Sequence, residues 1–82
     1  MQETSRRINK LFKKELYNIE YYLRRAKENK EKGNYHVSNY YINIILGVFE
    51  VLNEIMLSFP NMIEDQYLFK FKKLEIERKT ML

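Results

Sequence analysis

Residues 37–59, VSNYYINIILGVFEVLNEIMLSF, are the long apolar stretch of this 82-residue chain. At 3.6 residues per turn its polar residues fall on one narrow stripe, and its apolar residues spread over more than half of the circumference. The stripe consists of His36, Asn39, Asn43, Glu50 and Glu54, with Gly47 beside it. A helix with so wide an apolar surface needs cover on two sides. We therefore expect this helix to lie at the centre of the fold.

The segment before this stretch predicts a long amphipathic helix. Its apolar residues recur at three- and four-residue steps, namely Ile8, Leu11, Phe12, Leu16, Ile19, Tyr22, Leu23 and Ala26. Ser5 is a candidate N-cap. Gly33 and Asn34 tolerate positive φ and predict a turn after the helix. The middle helix then runs to residue 58, because Pro60 disfavours helical geometry at Phe59.

The last segment carries a helix-start signal and two apolar stripes. Asn61 followed by Glu64 indicates a capping box, which places the helix start near residue 62. One stripe consists of Ile63, Tyr67, Phe71, Leu74 and Met81, and the other of Met62, Phe69 and Ile76. The alternation between residues 67 and 77 also resembles a strand. We favour a helix, because a lone strand has no partner in this chain.

Together these patterns predict an all-α fold, an elongated three-helix bundle with helices at about 5–32, 35–58 and 62–79 and the middle helix central. Residues 1–82 form a single helical domain, with residues 1–4 frayed. The apolar surface exceeds what three helices cover, so we expect a homodimer, the commonest oligomer. The interface candidates are Ile42, Leu46, Phe49, Met62, Phe69 and Ile76.

The residue inventory argues against catalysis and metal binding. The chain has no Cys, which excludes disulfides, thiolate zinc sites and cysteine nucleophiles. Its three Ser, one Asp and one His are widely spread, and its two Gly form no phosphate loop. Glu50 and Glu54 lack the Glu-x-x-His motif of carboxylate metal sites, and His36 is interpreted as a polar residue beside a turn. We expect no enzyme, no catalytic residue, no cofactor and no metal.

Composition also gives an expectation for location. The N-terminus is polar and charged and shows no signal peptide. The apolar stretch has the length of a bilayer span, but polar residues interrupt it, so we expect no membrane partner. The chain is rich in Lys, Asn, Ile and Tyr and poor in Ala, which is typical of AT-rich genes. We expect a cytoplasmic protein encoded by a low-GC bacterium or by one of its phages or mobile elements.

Positive charge is concentrated in the first third of the chain. Residues 1–33 hold ten Lys and Arg against five Asp and Glu, whereas residues 34–59 hold no Lys or Arg and two Glu. Opposite the apolar side of the first helix lies a set that we call the basic face: Arg6, Arg7, Lys10, Lys14, Tyr17, Tyr21, Arg24 and Arg25. Cations beside aromatic rings suit either an acidic protein surface or single-stranded nucleic acid. The structural alternative is a solvated helix surface.

These observations predict a small non-enzymatic regulator, adaptor or inhibitor that docks onto another protein through the basic face, an apolar helix face, or both. Its partner would present an acidic surface, toward which the positive charge steers association. The alternative is a nucleic-acid-binding protein that uses the first helix, although no helix-turn-helix spacing is present. A third alternative is a structural assembly subunit that uses only its apolar stripes.

Overall fold

Three helices account for most of residues 2–81, the part of the chain that the computed structural model describes. α1 spans Gln2–Glu31, α2 spans Tyr35–Ser58 and α3 spans Asp65–Thr80. The molecule measures 48 × 18 × 17 Å. Its long axis matches the roughly 45 Å expected of a helix as long as α1. The predicted elongated all-α architecture of three helices is confirmed, and α1 begins three residues earlier than expected.

The turn between α1 and α2 follows the predicted chemistry. Gly33 adopts φ +80°, a conformation that costs little only without a Cβ. The Gly33 amide donates to the Lys30 carbonyl at 3.1 Å, and the Asn34 amide donates to the Asn29 carbonyl at 2.8 Å. These bonds satisfy carbonyls at the end of α1. α2 then runs over the predicted residues and ends before Phe59 and Pro60.

α1, and not the middle helix, is the element that packs against both others. It buries five apolar side chains almost completely, namely Phe12, Leu16, Ile19, Leu23 and Ala26. α2 buries only Ile45, Phe49 and Leu52 of its many apolar residues. The prediction of a central α2 is therefore wrong. The wide apolar arc of α2 shows how much surface needs cover, but it does not show which helix is central. The narrower apolar arc of α1 is the one that lies between two neighbouring helices.

Phe71 of α3 connects the three helices at the core. Its ring lies 5.9 Å from the ring of Phe12 in α1 and 5.3 Å from that of Phe49 in α2. Ile63 and Leu74 are buried with it, and Tyr67 and Met81 pack against the same core. The first of the two predicted α3 stripes thus faces inward, and burial of each large side chain stabilises the fold by about 1.5–3 kcal/mol.

The start of α3 differs from the prediction. The helix begins at Asp65, its N-cap is Glu64, and that residue's side chain makes no capping bond. The amide of Glu64 instead donates to Oδ1 of Asn9 in α1 at 2.8 Å. Residues 60–62 form a turn, in which the Met62 amide donates to the Phe59 carbonyl at 3.2 Å. The predicted capping box of Asn61 and Glu64 does not form, because Asn9 of α1 supplies the hydrogen-bond acceptor for the Glu64 amide.

Asn9 and Ser5 together hold this loop against α1. Nδ2 of Asn9 donates to the Met62 carbonyl at 2.7 Å, and Oγ of Ser5 donates to the same carbonyl at 3.0 Å. Nδ2 of Asn9 also donates to the Ser5 carbonyl at 2.8 Å. Ser5 therefore lies inside α1 and is not its N-cap. Asn9 is buried, so its polar atoms need these partners.

Candidate binding surface

The basic face lies on the side of α1 that points away from the core. Helical spacing sets its eight residues opposite Phe12, Leu16 and Leu23, and all of them are exposed except Arg25, which is half-buried. From Arg6 to Arg25 the row extends about 28 Å along the helix. The structure therefore brings together all eight predicted residues as one continuous surface.

Two members of the basic face have carboxylate partners, and four cations do not. Arg7 pairs with Glu3 at 3.5 Å, and Arg25 pairs with Glu28 at 3.3 Å. Within residues 2–81 no carboxylate lies within ion-pair distance of the other four cations, which are Arg6, Lys10, Lys14 and Arg24. These cations keep their charge available for an external anion.

The two tyrosines of the basic face differ in their surroundings. Tyr17 is 73% exposed, and the aromatic and cation–π contacts of residues 2–81 do not include its ring. Tyr21 touches the edge of Tyr22 at 5.5 Å, and the guanidinium of Arg24 lies 5.9 Å from the centre of its ring. Tyr17 is therefore the free aromatic ring among the cations.

A row of four tyrosine rings crosses from α1 to α2. Tyr22 stacks on Tyr41 at 5.9 Å, and Tyr41 meets the ring of Tyr40 at 5.7 Å. With Tyr21 at its outer end, the row joins the basic face to the surface of α2. Sequence reasoning did not find this row, because the adjacent pairs at 21–22 and 40–41 come together only through packing of the helices.

Arg25 lies over this row, with its guanidinium 5.9 Å from the centre of the Tyr41 ring. The nearby phenol group of Tyr41, together with Tyr21 and the carboxylate of Glu28, raises the pKa of Arg25 above its ordinary value. Arg25 is consequently a permanent cation, as arginine is in proteins generally. It marks the boundary between the basic face and the apolar surface of α2.

One flank of α2 is apolar and is only partly covered within the described chain. We call it the open face of α2 and define it by Val37, Tyr41, Ile44, Val48, Val51 and Ile55. Val51 is 56% exposed, Val37 is also exposed, and the other four are half-buried. Tyr41 stacks on Tyr22 of α1, and Val48 and Ile55 pack against the core, so the uncovered part of this flank is centred on Val37 and Val51.

The six interface candidates occupy different environments. Phe49 is buried against Phe71, so its side chain belongs to the core and is not free for a second molecule. Ile42 and Met62 are half-buried, and Leu46 lines a groove of about 210 Å³ between α2 and α3. Phe69 and Ile76 are exposed on the outer side of α3, with Phe69 at 74%. The second α3 stripe thus remains uncovered.

Ion pairs line the groove between α1 and α3. The groove measures about 370 Å³ and contains Glu20, Lys27, Lys70 and Glu77 among its lining residues. Lys70 pairs with Glu20, and Lys27 donates to Glu77 at 2.8 Å. The charges of this groove neutralise one another and hold α3 against α1. The groove therefore shows no surplus charge for a ligand.

α2 has the length and composition of a membrane-crossing helix. The mean hydropathy of its most apolar window is 1.4, and 17% of that window is buried inside the molecule. His36, Glu50 and Glu54 are exposed along its polar stripe.

No group of three or more His, Asp or Glu side chains in residues 2–81 is placed to hold a metal ion.

Comparisons with protein-family models, with curated proteins and with solved structures found no match to this chain.

Proposed function

We propose that this protein is a non-enzymatic regulator or adaptor that docks onto an acidic protein surface through the basic face of α1. The observation that carries the proposal is the free ring of Tyr17, which shares one face of α1 with four cations that have no carboxylate partner in the described chain: Arg6, Lys10, Lys14 and Arg24. Tyrosine and arginine are the residues that most often anchor protein interfaces. The unpaired cations supply steering toward a negative surface.

The number of free rings favours a protein over a nucleic acid. Proteins that bind single strands stack successive bases on several aromatic side chains. On the basic face only Tyr17 offers an open ring, because Tyr21 is engaged by Tyr22 and Arg24. A single exposed ring on a cationic helix face matches a protein hot spot better than a track for a nucleic acid strand.

Packing favours a soluble, cytoplasmic setting for α2 over a bilayer. Ile45, Phe49 and Leu52 cover the core side of α1, and Ser38 donates to the Ala26 carbonyl at 2.8 Å. If α2 moved into lipid, the apolar side of α1 would lose its cover. α1 could not enter the bilayer with α2, because it carries too many charged residues. We therefore propose that the chain functions in solution. We also propose a homodimer, because Phe69 and Ile76 remain exposed on the outer side of α3.

The proposal is tested by fluorescence anisotropy with labelled poly-glutamate and with labelled single- and double-stranded oligonucleotides, between about 50 and 200 mM salt. We expect poly-glutamate to bind and Tyr17→Ala to weaken that binding about tenfold without any change of net charge. Lys10→Glu weakens it further. The matched control is Lys72→Glu, which makes the same charge change at an exposed position of α3. We expect it to weaken the binding of poly-glutamate less than Lys10→Glu does.

Two outcomes would overturn the proposal. Equal losses for Lys10→Glu and Lys72→Glu, with none for Tyr17→Ala, would mean that the basic face contributes net charge only. The second outcome is binding of oligonucleotides without binding of poly-glutamate. If the logarithm of the oligonucleotide association constant also falls against the logarithm of the salt concentration with a slope of several units, the nucleic-acid alternative is established.

A further inference from the structure

The four tyrosine rings that cross from α1 to α2 form an aromatic surface, which we call the tyrosine row. In spatial order it consists of Tyr21, Tyr22, Tyr41 and Tyr40. Tyr40 is 63% exposed and Tyr21 is 45% exposed, whereas the two inner rings are half-buried. The inner rings therefore anchor the row to the fold, and the outer rings meet solvent at its two ends.

The hydrophobic core does not account for the outer rings. Tyr22 packs against the core, but Tyr21 and Tyr40 are not among the residues that do so. A tyrosine side chain has only two rotatable angles, so it offers a large contact area at a low cost in entropy. Exposed tyrosines that already touch one another are typical of a surface that binds another protein segment.

The spacing of the rings fits a polyproline II segment. Successive ring centres lie 5.5, 5.9 and 5.7 Å apart. Two residues of a polyproline II helix span about 6 Å, because each residue rises about 3.1 Å. A segment of about seven residues is thus long enough to follow the whole row. Such a segment is extended before it binds, and it docks onto aromatic side chains in known recognition domains.

The polar groups of the tyrosine row also suit proline. Tyrosine hydroxyls and arginine N–H groups donate hydrogen bonds. A proline-rich backbone offers carbonyl acceptors but few N–H donors, because proline has no backbone N–H. The carboxylate of Glu28, an acceptor beside the row, is already held by Arg25 at 3.3 Å. The donors of the row and the acceptors of such a segment are therefore complementary.

Charge at the Tyr21 end of the row favours an acidic ligand. The guanidinium of Arg24 lies 5.9 Å from the centre of the Tyr21 ring and has no carboxylate partner within residues 2–81. The Tyr40 end lies on α2, which carries no Lys or Arg. An acidic side chain at one end of the segment would therefore bind beside Arg24 and set the direction in which the segment lies.

We propose that the tyrosine row binds a proline-rich segment of another protein that carries an acidic residue at one end. Tyr22 and Tyr41 lie face to face at an interplanar angle of 27°, which removes one face of each inner ring from contact with nucleic acid bases. This geometry favours a peptide over a single nucleic acid strand. The row meets the basic face at Tyr21 and Arg24, but the inference does not depend on docking through Tyr17.

Fluorescence anisotropy tests the proposal with a labelled peptide that consists of a pair of aspartates followed by about eight prolines. We expect the full chain to bind this peptide and Tyr40→Ala to weaken the binding about tenfold. Tyr40 is exposed, so its truncation leaves the core intact. The matched control is Tyr35→Ala, which removes a ring that is 61% exposed on the same helix but outside the row. It should bind the peptide as the original chain does.

Two further peptides separate the contribution of proline from that of charge. A glycine–serine peptide with the same aspartates keeps the charge but not the polyproline II conformation, and it should bind about tenfold more weakly. A proline peptide with lysines in place of the aspartates should also bind about tenfold more weakly to the original chain. In Arg24→Ala the difference between the aspartate and lysine peptides should become smaller.

Three results would overturn the inference: no binding of the proline peptide, equal losses for Tyr40→Ala and Tyr35→Ala, or equal binding of the glycine–serine peptide. Binding of oligothymidylate that Tyr40→Ala abolishes, without binding of the proline peptide, would assign the row to nucleic acid instead. Tyr17→Ala should leave binding of the proline peptide unchanged, and Tyr40→Ala should leave binding of poly-glutamate unchanged. Failure of the tyrosine row and failure of acidic docking are therefore separate results.

Discussion

The side-chain amide of Asn9 donates a 2.7 Å hydrogen bond to the backbone carbonyl of Met62, fifty-three positions along the chain. The same side chain accepts the amide of Glu64, so one buried asparagine satisfies two backbone groups of the loop before α3. Asn9 thus caps the start of α3 from another helix, in place of a capping side chain in α3 itself. It ties the N-terminal part of α1 to the start of the last helix.

We expect Asn9→Ala to lower the free energy of unfolding by about 2 kcal/mol, because it leaves the Glu64 amide without its acceptor and the Met62 carbonyl with one donor fewer. Urea denaturation followed by circular dichroism measures this change. Asn43→Ala, at an exposed position of α2, is the control and should stay within about 0.5 kcal/mol of the original chain. Equal losses for both variants would contradict a bridging role.

Phe71 and Phe69 give a matched pair of aromatic truncations on α3. Phe71 is buried between Phe12 and Phe49, so Phe71→Ala should cost about 3–5 kcal/mol. Phe69 is 74% exposed, so Phe69→Ala should change stability by less than about 1 kcal/mol. Thermal unfolding of the two variants checks the difference. A large loss for Phe69→Ala would show that the outer side of α3 is covered.

The two glycines should respond to alanine in opposite directions. Gly33 has φ +80°, so Gly33→Ala should destabilise the fold by about 1 kcal/mol although nothing lies near the added Cβ. Gly47 lies inside α2 with open space around its Cβ position, so Gly47→Ala should stabilise it by about 0.5–1 kcal/mol. Melting temperatures of the two variants should move to opposite sides of the original chain. A loss at Gly47 would mean that a second helix approaches it closely.

The ion pair between Lys27 and Glu77 is half-exposed and should contribute little. We expect Lys27→Ala and Glu77→Ala each to cost less than about 1 kcal/mol. A double-mutant cycle at low and high salt isolates the pair, whose coupling should disappear at about 1 M salt. Coupling that persists at high salt would show that the groove excludes water.

The bounds of α2 follow from its sequence because both ends carry local signals. Gly33 permits the turn before it, and Pro60 prevents helical geometry at Phe59. The start of α3 could not be derived in this way, because its acceptor is Asn9, far away in sequence. Local patterns predict an element boundary only when its hydrogen-bond partners are also local.

A similar limit applies to the binding surface. Helical spacing alone gathers the eight residues of the basic face on one side of α1. It does not distinguish Tyr17 from Tyr21, because the difference arises from packing of Tyr22 on Tyr41 in another helix. The same packing decides which part of the α2 arc stays open. Amphipathic patterns predict how much surface needs cover but not which helix supplies it.

The position of Phe71 predicts the order in which the chain folds. The first contacts between α1 and α2 join residues close in sequence, such as Ala26 and Ser38, so the hairpin closes from its turn at low entropic cost. The site for Phe71 exists only after Phe12 and Phe49 have come together at the far part of that hairpin. We therefore expect α3 to dock last and to be the first helix to detach in native-state fluctuations. Hydrogen exchange tests this order, because the amides of α3 should exchange with solvent before those of the hairpin.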